Sequence, residues 1–197
     1  GVTSAGAGLV TINNGAAVLA GGSGREDLNH ALTGAPYSDG TVWASFSLDL
    51  SAGTVGATLV NSYFLHFKDA TTSGFRGRVF VGSSTAADTD LFRIGIENDG
   101  NEASATVAYS GDLDRTAPHT VTVAYDIAAG TSKLWEDTAT SNAPTAVDNT
   151  AATFLAISTI GLRQGGTAAN TGNFTGLQVD DLVVNYTAVP EPHEYAA

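Results

Sequence analysis

The chain has 197 residues, of which 43% are hydrophobic and 14% charged, and this length suits one domain with a sizeable core. A net charge of −12 makes nucleic acid an unfavourable partner, and the absence of cysteine excludes disulfides, thiolate metal sites and thiol nucleophiles. No apolar run reaches the roughly 20 residues that a membrane-spanning helix requires.

Alternation of apolar and polar residues predicts β-strands along most of the chain. In residues 41–50, every second residue from Val42 to Leu50 is apolar, whereas most of the others are polar. Further strands are predicted at residues 62–68, 75–81, 91–97, 103–109, 120–127, 132–135, 154–163 and 177–186. Turn sequences such as Asn14-Gly15 and Asp99-Gly100 separate them. The sequence therefore predicts an all-β fold, a two-sheet antiparallel β-sandwich.

The two ends of the chain differ in composition from this predicted sandwich, which covers residues 25–186. Residues 1–24 form an arm rich in glycine and alanine, with a few apolar residues such as Leu9 and Leu19. We expect this arm to add a strand to a sheet edge, more readily that of a neighbouring subunit, which would produce a homopolymer. The chain begins at Gly1 and contains no methionine, so we expect a secretory leader upstream of it.

The tail, residues 187–197, carries a short proline-containing motif. Its sequence Val189-Pro190-Glu191-Pro192 is followed by His-Glu-Tyr-Ala. This motif resembles the opening of the PEP-CTERM sorting signal of Gram-negative bacteria. In that family a transmembrane helix and a basic cluster follow, and the protease exosortase processes the signal. The resemblance implies an exported protein of the cell surface or extracellular matrix, which contacts the membrane only through the sorting helix.

Five segments of the predicted sandwich, taken in order, resemble the concanavalin A-like, or laminin-G-like, jelly-roll domains. They are residues 63–67 (YFLHF), 75–81 (FRGRVFV), 122–126 (TVAYD), 161–164 (GLRQ) and 179–184 (VDDLVV). The resemblance implies a fold and no particular activity, because this superfamily includes lectins, glycosidases and purely structural modules.

The sequence contains one pattern known from jelly-roll glucanases. Glu97, Asp99 and Glu102 match E-x-D-x-x-E, which requires carboxylates on one strand face. The intervening Asn-Asp-Gly-Asn sequence is typical of a hairpin turn, which would place Glu97 and Glu102 on different strands. No G-x-S-x-G elbow occurs, and the four histidines lie in unrelated contexts. We therefore predict no catalytic residues and expect that the chain is not an enzyme.

A concentration of basic residues occurs in the first half of the predicted sandwich. It consists of His66, Lys68, Arg76, Arg78 and Arg93. Alternation places His66 and Lys68 on one face of a strand, and Arg76 and Arg78 on one face of the next. If the strands are neighbours, these side chains share a sheet face. They either pair with nearby carboxylates or form a surface for an acidic glycan or another subunit.

Acidic residues suggest a different kind of site. Asp88, Asp90, Asp112 and Asp114 could supply oxygen ligands to a structural calcium ion, although none has the spacing of a dedicated calcium loop. Solvated turn residues are the alternative interpretation. Alternation in the last strand predicts that Asp181 is a buried carboxylate. We expect no cofactor other than this calcium ion.

These features predict a non-catalytic structural or adhesive protein of the bacterial surface or matrix that assembles with itself into a homopolymer or filament. The alternative is a lectin-type carbohydrate-binding module with an extracellular polysaccharide as its partner. Trp43 and Trp135 are the aromatic residues that could stack on a sugar, although either could belong to the core.

Overall fold

In the computed structural model, the described residues are 9–21, 26–55, 63–71, 74–86, 88–98, 107–164 and 174–188, and their regular structure is entirely β. The strands are β1 (Thr11–Asn13), β2 (Ala16–Leu19), β3 (Asp27–Ala31), β4 (Thr41–Asp49), β5 (Thr54–Val55), β6 (Tyr63–Lys68), β7 (Phe75–Ser83), β8 (Leu91–Glu97), β9 (Ala108–Tyr109), β10 (Leu113–Asp114), β11 (His119–Asp126), β12 (Thr131–Glu136), β13 (Ala146–Asp148), β14 (Thr159–Arg163), β15 (Phe174–Thr175) and β16 (Leu177–Thr187). Within these ranges, no helix is long and apolar enough to cross a membrane.

The first sheet has seven strands in the order β1-β2-β16-β4-β11-β12-β13, and every neighbouring pair is antiparallel. Its central strand β4 alternates strictly between buried and half-buried residues, as its sequence predicts. Phe46 and Leu48 therefore point into the core, while Ser45 and Ser47 lie on the outer face.

The second sheet has the order β10-β8-β7-β6-β14-β3, with β9 beside β8, and its pairs are also antiparallel. Apolar side chains from both sheets form one core; Phe64, Phe67 and Ile94 of the second sheet join Phe46 and Val123 of the first. The prediction of a two-sheet antiparallel sandwich is confirmed. The predicted strand at residues 154–163 is shorter than expected, because regular pairing begins only at Thr159.

A bulge in β16 changes which side chains face the core. The pairing with β4 shifts between Asp180 and Val183, and Asp181 has a left-handed φ of 52°. Beyond the extra residue, Val183 points outward and is 52% exposed. Asp181 is also exposed, so the prediction that it is a buried carboxylate is wrong. Strict alternation fails at this point because a bulge adds one residue to one strand only.

The described part of the N-terminal arm, residues 9–21, belongs to the chain's own first sheet. β1 and β2 form a hairpin at Asn14-Gly15, whose φ angles of 51° and 96° are both left-handed. β2 then pairs with β16, and Leu19 is fully buried in the core. These residues therefore add to a sheet edge as expected, but the edge is that of the chain's own β16, the less favoured of the two alternatives.

Some sequence predictions fall outside the described residues. They concern the ends of the arm at 1–8 and 22–24, the Asp99-Gly100 turn with Glu102, the first part of the predicted strand at 103–109, and the sorting motif at 189–192. These remain predictions.

The buried position of Leu19 gives a test of whether the arm is integral to the fold. We expect Leu19→Ala to lower the free energy of unfolding by about 2–5 kcal/mol, because it removes buried methyl groups and leaves a cavity. Ile12→Ala is the control, since Ile12 is 68% exposed on β1, and it should change stability by less than about 0.5 kcal/mol. Chemical denaturation measures both variants, and two equally small effects would contradict an integral arm.

Candidate functional site

A group of aromatic and basic side chains lies on the face of the second sheet that points away from the core. Strands β6, β7 and β14 are neighbours and supply all of its members. We call them the cationic cluster: Tyr63, His66, Lys68, Arg78 and Arg163.

The ring of Tyr63 lies at the centre of the cationic cluster. The guanidinium carbon of Arg163 is 4.4 Å from its centroid and that of Arg78 is 5.2 Å away, distances at which cations are attracted to an aromatic face. The His66 ring meets Tyr63 edge to face, with the centroids 5.4 Å apart. Phe75 closes the other side, 4.9 Å from His66, with the Lys68 ammonium 5.8 Å from its centroid.

His66 is the most unusual member of the cationic cluster. It is 2% exposed, and neither of its ring nitrogens has a hydrogen-bond partner within the described structure. Burial, and after it the charges of Arg163, Lys68 and Arg78, together lower its pKa to about 3. The imidazole is therefore neutral at pH 7. Because buried polar groups are almost always hydrogen-bonded, a buried imidazole with two unpaired nitrogens is unusual.

The strand next to β6 leaves room for the His66 ring. Gly161 of β14 is the register partner of His66. A Cβ atom on Gly161 would lie 2.6 Å from the Cε1 and Nε2 atoms of His66, closer than nonbonded atoms allow. The imidazole can therefore occupy this position only because residue 161 has no side chain.

Two carboxylates partly balance the cations. Arg78 forms a buried ion pair with Glu97, its register partner on β8, and the two side chains are 2% and 4% exposed. The Nε atom of Arg163 lies 3.9 Å from the carboxylate of Asp27. Three cations thus face two carboxylates, in a protein whose overall charge is −12. Glu97, the first residue of the glucanase-like pattern, is committed to its ion pair.

The prediction that four basic residues share one face is wrong for Arg76. Gly77 has a left-handed φ of 52° and forms a bulge, so Arg76 pairs with core-facing Phe67. The Arg76 guanidinium donates hydrogen bonds of 2.7 Å to the carbonyl oxygens of Phe75 and Thr153. The bulge restores His66, Lys68 and Arg78 to a common face and removes Arg76 from it.

Arg93 lies on the same outer face as the cationic cluster but at its far edge. Its register partner is Gly82, and its Nε donates a hydrogen bond of 2.8 Å to the Ser83 carbonyl. The guanidinium carbon is 4.5 Å from the centroid of the Tyr109 ring. Arg93 is therefore held by local contacts and does not touch His66.

Sequence reasoning did not include Tyr63 and Arg163 in the site. Both lie in segments whose likeness to jelly rolls is visible, but alternation within a strand does not reveal which strands are neighbours. The neighbour relation of β14 and β6 brings Arg163 to the site from almost 100 residues further along the chain.

The predicted calcium ligands lie in the neighbouring turns that precede β8 and β10 and in β10 itself. Asp88, Asp112 and Asp114 each accept hydrogen bonds from nearby backbone amides or threonine hydroxyls, and Asp90 is exposed. The threonine hydrogen bonds hold the pKa of Asp112 and of Asp114 below its ordinary value. Among the residues that the structure describes, no three His, Cys, Asp or Glu side chains are grouped as metal ligands would be. Structural calcium remains a prediction.

No protein family model and no curated protein matches the chain. Its fold is similar to that of solved structures. A family 7 alginate lyase, A1-II′, is 13% identical with a TM-score of 0.52, over 85% of this chain and 72% of that one. A polysaccharide lyase of family 18 is 6% identical with a TM-score of 0.52, over 91% of each chain. A legume lectin-like domain from Entamoeba histolytica is 10% identical with a TM-score of 0.49, over 90% and 87%.

The likenesses to the two lyases concern the fold alone and support the jelly-roll type of β-sandwich that the sequence predicts. They also contradict the prediction that the chain is not an enzyme, because alginate lyases share this architecture. The prediction relied on finding no catalytic motif in the linear sequence. A site assembled from β6, β7 and β14 has no such motif, since its residues come together only in the folded sheet.

A second group of titratable residues lies at one end of the sandwich. The Nδ1 atom of His119 is 2.6 Å from the Asp137 carboxylate, and its Nε2 atom is 2.7 Å from the Asp114 carbonyl oxygen. Both partners are acceptors, so both ring nitrogens carry protons and His119 is an imidazolium. Burial lowers its pKa, but the hydrogen bonds to Asp114 and Asp137 outweigh burial and raise the pKa above the ordinary value. Nearby, burial raises the pKa of Glu136 to about 7.

These two pKa shifts predict that stability falls as pH rises. Both groups bind protons more tightly in the folded chain than in the unfolded chain, so their stabilisation is present at low pH. It is lost as pH rises through about 7 for Glu136 and through the raised pKa of His119. We expect the unfolding free energy to fall by about 1–2 kcal/mol from pH 5 to pH 8, allowing for the partial solvation of Glu136.

Denaturant titrations between pH 5 and pH 8 measure this slope, which is how steeply the free energy of unfolding falls with pH. Glu136→Gln should flatten its lower part, whereas Asp180→Asn, which changes an exposed carboxylate of the same sheet, should leave it unchanged. A slope that is the same in wild type and Glu136→Gln would contradict the assignment.

Proposed function

We propose that this chain is a carbohydrate-active module that binds an acidic polysaccharide at the cationic cluster and cleaves it by β-elimination. The observation that carries the proposal is His66, a buried neutral imidazole with two vacant nitrogens, surrounded by Lys68, Arg78 and Arg163. The similarity of the fold to alginate and polysaccharide lyases supports the class of substrate.

The positions of the cations suit a uronate, a sugar that carries a carboxylate. Lys68 and Arg163 are half-buried at the rim of the cluster, whereas His66 and Arg78 are buried behind them. The carboxylate pairs with Lys68 and Arg163, since guanidinium and ammonium groups form strong charge-assisted hydrogen bonds with it. Phe75, half-buried beside Lys68, offers an apolar surface to the sugar ring.

Elimination then needs a base and an acid. Neutralising the carboxylate acidifies the adjacent C5–H, and His66 accepts that proton on a ring nitrogen. A double bond forms between C4 and C5, the C4–O4 bond breaks, and O4 takes a proton from the Tyr63 hydroxyl. The bound carboxylate also offsets the charges that lower the pKa of His66, which makes the imidazole a stronger base.

An extracellular polysaccharide is the natural partner for such a site, in agreement with the export that the sequence leads us to expect. Assembly into a homopolymer is not part of the proposal, because the described arm lies on its own sheet. The polymer in this proposal is the bound polysaccharide and not an assembly of protein subunits.

Polyuronates test both parts of the proposal. We expect retention on immobilised alginate or polygalacturonate that weakens with salt, and ultraviolet absorbance from the unsaturated product. Arg163→Gln should weaken binding about tenfold, since it removes a charge-assisted contact. His66→Asn should lower kcat by about a hundredfold or more and change KM little, since it removes the base.

Matched variants serve as controls. His30→Asn changes an exposed histidine of β3, and Arg115→Gln changes an arginine outside the cationic cluster, so neither should affect binding or turnover. Binding without product would overturn the elimination step. The absence of both binding and product on every polyuronate would overturn the whole proposal.

A further inference from the structure

The two tryptophans of the chain lie on the outer face of the first sheet, on the far side of the sandwich from the cationic cluster. Trp43 follows core-facing Val42 on β4, and Trp135 follows core-facing Leu134 on β12. Their rings are in contact, with centroids 5.7 Å apart and an interplanar angle of 31°. Trp135 is buried and Trp43 is half-buried, and neither is part of the apolar cluster between the two sheets.

Trp43 is a prearranged surface group. Trp135 beneath it is 4% exposed and donates a hydrogen bond of 3.0 Å from its Nε1 to the Asn142 carbonyl, which fixes the lower ring. Trp43 itself is half-buried, and its Nε1 has no hydrogen-bond partner in the described part of the chain. One indole is thus anchored, and the other remains available for contact.

Uncharged polar side chains surround the pair. Asn185 is a register partner of Trp43, and Thr122 is the register partner of Trp135. Ser45, two residues after Trp43 on β4, is the other register partner of Thr122. The hydroxyl groups of Ser45 and Thr122 are 3.4 Å apart, a weak contact that leaves both hydroxyls able to bind other groups. The charged residues beside the pair in this register are Asp126, two residues along β11 from Trp43's partner Ala124, and Lys133, the partner of Ala124 on β12.

We infer that this surface, which we call the Trp43 face, is a second sugar-binding site and that its ligand is an uncharged glycan. An indole covers the C–H face of a sugar ring, while hydroxyl and amide groups beside it bond the ring's hydroxyls. The Trp43 face has this combination in Trp43, Ser45, Thr122 and Asn185. It lacks the paired cations that an acidic sugar needs.

A protein partner fits the Trp43 face less well. Its apolar part consists of Trp43 and Val183, and the residues between them are hydroxyl or amide side chains. Stable protein interfaces have a larger apolar centre than this. The inference goes beyond the proposed function and does not depend on it, since it concerns the other sheet and an uncharged ligand.

The test titrates the full chain with three neutral oligosaccharides, cellohexaose, mannohexaose and xylohexaose, by calorimetry and intrinsic fluorescence. Because the chain has only two tryptophans, Trp135→Phe leaves Trp43 as the sole reporter, and Trp43→Phe leaves Trp135. We expect one of the three sugars to change the fluorescence of Trp43 alone. Trp43→Ala should weaken its binding at least about tenfold.

Three variants separate this site from other effects. Asn185→Ala changes an exposed residue, keeps the tryptophan pair intact, and should weaken binding about threefold or more even if Trp43→Ala folds poorly. Phe154→Ala removes an aromatic residue that is 59% exposed elsewhere and should have no effect. Arg163→Gln should weaken alginate binding and leave the neutral sugar unaffected.

Two results would overturn the inference. One is the absence of binding to all three hexasaccharides by both methods. The other is self-association in sedimentation that Trp43→Ala abolishes, because the Trp43 face would then be a contact between copies of the chain. Failure of alginate binding alone would refute only the proposed function.

Discussion

The left-handed backbone at Gly77 determines which basic residues can act together. With a φ of 52°, Gly77 inserts one extra residue into β7, and a Cβ atom there would lie 3.1 Å from the Phe67 ring. On the near side of the bulge, Arg76 is turned toward Thr153; on the far side, Arg78 joins His66 and Tyr63. Without the bulge, Arg78 would point into the core.

The charges of the cationic cluster are only partly balanced by carboxylates. Glu97 keeps Arg78 in place inside the protein, at the cost of neutralising it, whereas Lys68 and Arg163 are partly solvated at the rim. His66 lies where each of these charges opposes its protonation. In the proposed function, a carboxylate bound beside His66 would offset these charges.

Strand positions could be predicted from the sequence far better than side-chain directions. The bounds of β8 agree with its alternation, and those of β4 and β6 agree within one residue. Faces were predictable only as far as the next bulge: alternation failed at Gly77, which misplaced Arg76, and at Asp181. Arg163 could not be assigned to the site, because nothing within a strand encodes its neighbour. The absence of a linear catalytic motif was uninformative for the same reason.

The place of β16 in the first sheet has a consequence for the order of folding. This strand, the last described one in the chain, lies between β2 and β4 near the other end, so it separates two early segments that never pair with each other. During synthesis the early strands must wait for a partner more than 120 residues away, and the first sheet closes only when β16 is available. Contacts so distant in sequence make folding slow. Until that moment the N-terminal hairpin has no sheet to join.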